Sequence, residues 1–285
     1  APLVDENRYL VQIGLPRLAN TERMGLRELL KVCGHNQTSQ VNADHVGFGI
    51  APRINAVGRL TDANLAVKLM TTNDLLEATH LATELEFQNR ERQTLCEETV
   101  KDVIALANEQ VDFKNDKCIV LAKKGWHHGV IGIVASRVLE KFSLPTLLIC
   151  IDEEQNIARG SGRSISKLNI VEALVSSSTH IEKFGGHKAA CGLSVKPENI
   201  PSFMSDFKSV VNELLKDCDM GPVLNIDSKL PLSELNMDLI EKINKLAPFG
   251  FGNRMAVLES DEVEIVSVKS IGKNRQHLKL FVKCH

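Results

Sequence analysis

The spacing of apolar residues changes several times along the chain, and each change predicts an element. Leu26, Leu29, Leu30 and Cys33 recur at helical spacing and stop at Gly34, a natural helix C-cap. Before them, Leu10-Val-Gln-Ile-Gly14 predicts a short buried helix or strand. From Asn73 to Glu109 there is neither Gly nor Pro, and Leu75, Ala78, Leu81, Ala82, Leu85, Leu95, Val103, Leu106 and Ala107 form an interrupted helical stripe. The middle of that stretch, Gln88-Asn-Arg-Glu-Arg-Gln93, is polar all round. A single helix here would be about 55 Å long. Apolar ends and a polar middle suit a connector between two domains, with two helices broken near Gln88 as the alternative.

Beyond the stripe, short apolar runs alternate with helical segments. Cys118-Ile-Val-Leu-Ala122, Pro145-Thr-Leu-Leu-Ile-Cys150 and Ile157 to Gly162 read as strands, and Gly129 to Phe142 and Leu168 to Ser176 as helices. Such alternation predicts an α/β layer. Residues 200–217 form a further helix, with Phe203, Phe207, Val210, Val211 and Leu214 inward. After Pro222 the pattern turns to short strands around one helix, Leu235 to Lys245. Val223 to Leu230, Val257-Leu258, Val263 to Val268 and His277 to Val282 predict a small β-barrel.

Composition narrows the class. With 43% hydrophobic residues the chain can bury a core. It has no apolar run long enough for a transmembrane helix, and residues 1–10 lack the basic start and apolar stretch of a signal peptide, so no membrane association is expected. The seven cysteines form no C-x-x-C pair, as suits reduced thiols in a cytoplasmic protein. The net charge of −2 says little, but its distribution says more. Residues 61–117 hold 6 basic and 12 acidic side chains, whereas residues 118–192 hold 9 basic and 6 acidic. Local charge decides whether a phosphate backbone is attracted.

Four segments carry candidate chemistry. In Pro52-Arg-Ile-Asn-Ala-Val-Gly-Arg59, Arg53, Asn55 and Arg59 offer forked and amide donors to phosphate, or they brace a turn. In Gly125-Trp-His-His-Gly-Val-Ile-Gly132, a strand leads into a helix whose first N–H groups, around His127 and Gly129, suit an anion, and Trp126 could stack a base. The alternative is a packing Trp beside a satisfied His. In Arg159-Gly-Ser-Gly-Arg-Ser-Ile165, Ser161, Arg163 and Ser164 supply donors, and the small residues let a ligand approach the backbone. In Phe184-Gly-Gly-His-Lys-Ala-Ala-Cys-Gly192, Gly185 and Gly186 allow close approach and His187 is a donor.

In this order the four motifs, followed by Leu246-Ala-Pro-Phe-Gly-Phe-Gly-Asn253, resemble the RecJ family of single-strand-specific 5′-to-3′ DNA exonucleases, members of the DHH phosphoesterase superfamily. The chain departs from the family at Arg254-Met255, where Asn-Pro is common, and at Cys191, where Ala is usual. The resemblance implies an α/β protein in four parts. Residues 1–72 are the remnant of a DHH phosphoesterase domain, 73–115 a connector helix, 116–218 a DHH-associated nucleic-acid-binding domain, and 219–285 part of an oligonucleotide-binding (OB) barrel. It also implies roles. Arg163, Ser161 and Ser164 would grip a 5′-terminal phosphate or its neighbour. Arg53, Asn55 and Arg59 would approach the strand from the metal-domain side. Gly185, Gly186 and His187 would line the cleft near the scissile phosphate, where His187 could stabilise developing charge. Single-stranded DNA is the implied partner, with a single-stranded-DNA-binding protein and a helicase beside it, in the bacterial cytoplasm.

The family's Asp-His-His triplet is absent from the sequence, and Val4-Asp-Glu-Asn-Arg8 resembles the stretch that follows the last metal-binding segment. The chain is therefore expected to be the later part of a longer enzyme. The Mn²⁺ or Mg²⁺ of that enzyme would have its ligands elsewhere, and this chain alone would be inactive. Two alternatives are a stand-alone single-stranded nucleic-acid-binding module and a fragment of an oligoribonucleotide phosphodiesterase. The latter family generally lacks an OB barrel, so residues 222–285 argue against it.

Overall fold

The structure is a computed structural model that describes residues 1–35, 40–272 and 275–283. Cys284 and His285 lie outside the described residues, and Cys96, Cys118, Cys150, Cys191 and Cys218 are free thiols. The chain divides into two units, residues 51–222 and residues 1–50 with 223–285.

In the first-named unit, helices α3 (Ala51–Leu60), α4 (Asn64–Thr71) and α5 (Leu75–Gln110) precede a sheet. The glycine-punctuated segment that holds the first motif is helical, with a π-helical turn at His45–Ile50 before α3. α5 is one unbroken helix of 36 residues, started by Asp74, whose carboxylate accepts the Glu77 N–H at 3.0 Å. Its polar middle is not a solvated spacer. Asn89 and Arg92 are buried, and the Arg92 guanidinium donates to Asn89 Oδ1 at 2.8 Å. Neighbouring helices, α3 and α4 early and α6 (His128–Phe142) late, cover α5 within the same unit.

The sheet runs β1-β2-β3-β5-β4, with β1 (Ile119–Lys124) parallel to β2 (Thr146–Asp152) across the α6 crossover. β3 (Ile157–Arg163), β4 (Ile181–His187) and β5 (Ala190–Val195) are all paired antiparallel. α7 (Ile170–Ser176) and α8 (Ile200–Leu214) cover one face, where Phe203 and Phe207 are fully buried with Leu147 and Ile149. α5 and α6 cover the other, against Ile119, Leu121 and Leu148. Because β2 is covered on both faces, it reads as the continuous run Leu147-Leu148-Ile149 rather than alternating. β4 and β5 go beyond the strands that periodicity predicts: glycines and a histidine disguise them.

In the other unit, α1 (Asp5–Ala19) buries no residue, which corrects the expectation of a short buried element at 10–14. α2 (Met24–Val32) buries Leu29 and Leu30. The Leu3 N–H donates to the Phe251 carbonyl at 2.6 Å and Arg8 to the Leu246 carbonyl at 2.8 Å, so the N-terminal residues hold the Pro-Phe-Gly segment. After 223, only Ser228–Lys229 (β6) of the expected first strand pairs, with Leu258–Glu259 (β7). α9 (Met237–Asn244) lies between them in sequence, and β8 (Glu264–Ile271) and β9 (His277–Lys283) form an antiparallel pair. The two small sheets do not close, so the barrel is incomplete.

Candidate nucleic-acid interface

Burial falls steadily across the sheet. Residues 146–150 of β2 are buried, β3 and β5 alternate, and β4 is exposed from Glu182 to His187. α6 therefore covers its face of the sheet only as far as β3. On β3 the parity is unambiguous. Gly160 faces Leu193 and Ile149, and Gly162 faces Cys191, Ile170 and Leu147. These two glycines serve the core rather than a ligand, which corrects the expectation for the Gly-Ser-Gly segment. Arg159, Ser161 and Arg163 point the other way, toward α6, where a Cβ on Gly132 would lie 2.9 Å from Ser161 Oγ and 3.0 Å from Arg163 Nη2.

Register carries this face onward. Cross-strand partners share a face, and Arg163 pairs with Ala190, which pairs with His187; Ser161 pairs with Gly192, which pairs with Gly185. An arginine, a serine, two glycines, an alanine and a histidine from two motifs thus form two adjacent rows. Above Gly185 there is open space. The floor is flat and glycine-lined, with cations along its edge.

Arg163 donates from Nη1 to Ser161 Oγ at 3.2 Å and to the Gly162 carbonyl at 2.7 Å. Burial lowers its pKa from the ordinary guanidinium value; the Cys191 thiol opposes that shift and the neighbouring Arg59 charge adds to it. Burial in turn pushes the Cys191 thiol up to about 11, so it is inert. Arg59 donates to the Gly129 carbonyl at 3.0 Å. Gly129 has to be glycine, because a Cβ there would collide with the Arg59 carbonyl oxygen. Two further arginines, neither among the candidate site residues, adjoin this corner. The charges of Arg92, Arg137 and Arg59 all work against the burial that raises the Cys96 pKa, and Arg92 also hydrogen bonds that thiol. Among the described residues Arg27, Arg53 and Arg90 have carboxylate partners, whereas Arg59, Arg92, Arg137 and Arg163 have none. Several guanidinium groups held close without counter-charge cost stability, and an anion bound among them would offset that cost.

Other candidate residues serve the scaffold. Arg53 forms an ion pair with Glu86 of α5 at 2.6 Å, so it fixes α3 rather than standing open to phosphate. Asn55 is exposed one turn before Arg59 on the same helix face. Trp126 is buried among α5 and α6 residues, with no free face for a base, so the stacking role expected of it is corrected. His127 caps α6: its Nδ1 accepts the Gly129 N–H at 3.1 Å, and burial with the adjacent His128 lowers its pKa, which keeps the acceptor neutral. One of the N–H groups expected to face a ligand is thereby already satisfied. Ser164 donates to the Leu168 carbonyl at 2.9 Å, and its own N–H donates to the Ala189 carbonyl at 2.9 Å, so it ties β3 to the β4–β5 turn. Gly186 has a φ of 151°, and a Cβ on it would strike the Ala190 carbonyl and lie 2.7 Å from Cys191 Cα.

The buried tryptophan still matters to the interface through Asp102. That carboxylate accepts from Trp126 Nε1 at 2.7 Å and from Lys123 Nζ at 2.6 Å, pinning α5 to the turn that starts α6. The Lys123 hydrogen bond first, then that of Trp126, hold the Asp102 pKa below its ordinary 3.8. A lowered carboxylate pKa stabilises the fold above the ordinary value, and that contribution is lost as pH falls below it. Asp102→Ala leaves a buried indole N–H unsatisfied and is expected to cost about 1–3 kcal/mol. Trp126 is the one tryptophan in the sequence, so its emission should shift to the red in the variant, and in the wild type only at acidic pH. An unchanged spectrum and melting temperature would contradict this.

Among the described residues no group of three or more His, Cys, Asp or Glu side chains could hold a metal ion. The residues present therefore do not fit a catalytic metal centre. They define an α/β domain of the phosphoesterase-associated type with arginines beside one face of its sheet, followed in sequence by an incomplete oligonucleotide-binding barrel. Comparison with known proteins agrees. Residues 115–213 match the DHHA1 domain and residues 226–285 the RecJ OB domain. The single-stranded-DNA-specific exonuclease RecJ of Bacillus subtilis is 36% identical over 282 residues, covering 99% of this chain and 36% of that protein. RecJ of Haemophilus influenzae is 32% identical over 289 residues, covering 99% of this chain and 50% of that protein. The crystal structure of RecJ in complex with Mn²⁺ from Thermus thermophilus superposes with a TM-score of 0.83 at 32% identity, over 99% of this chain and 40% of that one. The chain belongs to the RecJ family, and it spans half or less of the length of these relatives.

Proposed function

We propose that this chain is the substrate-binding part of a single-stranded-DNA-specific 5′-to-3′ exonuclease that acts in DNA repair and recombination. The observation that carries the reading is the pair of rows joining Arg163 and Ser161 to Gly185 and His187, beside arginines that lack carboxylate partners among the described residues. A guanidinium fork and a hydroxyl at the end of β3 suit a terminal phosphate. Arg59 and Asn55 supply donors from α3, while Arg53 acts through its ion pair by holding α3 in place. His187 stands one row from the glycine floor, where it can donate to a phosphate oxygen as charge develops. Trp126, His127, Gly129, Ser164 and Gly186 shape this surface rather than touch the strand.

In the relatives solved with Mn²⁺ or Mg²⁺, the metal's chemistry is to lower the pKa of bound water and polarise the phosphoryl oxygen. Hydrolysis by the whole protein would need that metal from ligands outside the described residues. An enzyme that consumes single strands also needs them unwound and kept open, so a helicase and a single-stranded-DNA-binding protein are the partners we expect. The bacterial cytoplasm is where such strands arise.

The test is fluorescence anisotropy of the chain in EDTA with 5′-phosphorylated single strands and with blunt duplex. Metal-free binding that prefers the single strand, falls steeply with salt and ignores base sequence supports the proposal. With Mn²⁺ added, the purified chain is expected to release no nucleotides. Equal affinity for duplex, or no binding at low salt, would overturn the reading.

A further inference from the structure

The two rows described above have a third beside them that none of the four motifs supplies as a unit. Arg159 pairs with Ser194, and Ser194 pairs with Lys183. Two residues along an antiparallel strand advance it by about 7 Å. The third row therefore lies one such step beyond Ser161–Gly192–Gly185, and two steps beyond Arg163–Ala190–His187. A step of that size is comparable with one nucleotide of an extended single strand.

Lys183 belongs to this face only because of a local irregularity. β4 pairs Ile181 with Val195 and then Lys183 with Ser194, with a register shift between them. Ile181 and Val195 both pack into the core beneath α7 and α8. Regular alternation would send Lys183 to the same side as Ile181, into that core. The bulge at Glu182 inserts the extra residue and turns Lys183 to the opposite face, the one that carries Ser161 and Arg163. The acidic residue is diverted at the same point: Glu182 pairs with Lys196 at 3.9 Å.

Neither cation of the row forms an ion pair among the described residues. Arg159 and Lys183 are both exposed. Arg159 makes one long hydrogen bond, to Gln155 Oε1 at 3.4 Å. Of the acids at the neighbouring β2–β3 turn, Glu153 is paired with Lys124, while Asp152 and Glu154 form no ion pair with Arg159 or Lys183 among the described residues. Asp152 accepts the Gln155 N–H at 3.0 Å. Between the two cations stands only the short hydroxyl of Ser194, and the next row is the glycine floor of Gly192 and Gly185. A phosphate could thus rest between Arg159 and Lys183 with nothing taller than a serine beneath it.

We propose that Arg159, Ser194 and Lys183 form a second phosphate subsite for the single strand, one glycine row away from the Arg163–His187 row. The proposal rests on the reading of this face as a single-strand interface, and it adds the extent and direction of the track. A strand long enough to cover both rows gains contacts that a dinucleotide at Arg163 cannot make. Phosphate contacts position the strand without reading its bases.

The experiment measures binding in the full chain, in EDTA, with a 5′-phosphorylated dithymidylate and a longer oligothymidylate at several salt concentrations. Three variants stand beside wild type: R159A/K183A, R163A, and the control K141A/K216A, which removes the same charge from exposed positions elsewhere. R159A/K183A is expected to weaken the longer strand on the order of tenfold. It should lower the salt slope by about 0.7, the value for one single-strand phosphate contact. Dithymidylate binding and the melting temperature should not change. R163A is expected to weaken both ligands, and the control neither. If R159A/K183A binds the longer strand as wild type does while R163A is impaired, the subsite is refuted and the interface stands. If the control loses as much as R159A/K183A, the effect is general charge and the subsite is again refuted. If wild type binds neither ligand, the proposed function fails and the subsite with it.

Discussion

Arg163→Ala in the full chain is expected to weaken single-stranded DNA binding by about 1–3 kcal/mol, as for loss of a bond to a charged group. The salt slope should fall by about 0.7, because one single-strand phosphate contact is removed. The structure sharpens what should happen to stability. Arg163 is half-buried, its charge is disfavoured by that burial and by Arg59, and its only protein acceptors among the described residues are Ser161 Oγ and the Gly162 carbonyl. A guanidinium that merely braced the strand end would be missed by the fold. One held without counter-charge imposes a desolvation cost that alanine removes. The expected melting temperature is therefore unchanged or slightly raised while affinity drops. Lysine should not restore binding, because a point charge cannot reproduce the fork. A lowered melting temperature with affinity and salt slope intact would mean that Arg163 is structural.

The second large effect separates two neighbouring glycines. Gly186 has a φ of 151° and no room for a Cβ against Ala190 and Cys191. Gly186→Ala adds backbone strain of about 1–3 kcal/mol and overpacking of about 1–3 kcal/mol, and it should lower stability by roughly their combined size. Gly185 has open space above it, and alanine in a strand costs nothing relative to glycine. Gly185→Ala should therefore leave the melting curve where it was, or raise it slightly. It should still weaken DNA binding, since the new methyl group stands on the floor between Ser161 and His187. Thermal melts and anisotropy on the same two proteins check both halves. A binding-neutral Gly185→Ala would show that the strand does not approach the floor there.

Much of the architecture is legible in the chain itself. Leu147-Leu148-Ile149 and the stripe on α6 follow from burial on two faces and on one, and those patterns survive in any context that keeps the core. The absence of Gly and Pro marks 75–110 as helical, and the structure decides that it does not break near Gln88. The order of four short motifs points to the family because each is a local constraint: a helix, a cap, a strand end, a close backbone approach. Legibility ends where a residue's use depends on a distant partner. By its motif Arg53 reads as a phosphate donor, but Glu86 stands beside it. Trp126 reads as a stacking platform, but Asp102 draws it inward. Arg92 sits in a segment that is polar all round, yet it is buried beside Asn89 and Cys96.

The amino-acid order alone indicates the longer helices from 75 onward and most of the strands, which segments hold a hydrophobic core, and which donors exist, because those properties depend on neighbours a few positions away. It does not indicate α3 or α4. It cannot settle which side of a strand meets the core when both sides carry small or polar residues. In Arg159-Gly-Ser-Gly-Arg163 the glycines read as an opening for a ligand, and the register with Leu193 and Cys191 shows them lining the core instead. Arg59 and Arg163, far apart in sequence, become neighbours only when α3 docks on α6 across Gly129. Lys183 faces the basic side through a single inserted residue in the β4–β5 ladder. Side-chain direction in a sheet has a period of two, so one bulge reverses it, and the ladder that defines the bulge exists only in the folded chain.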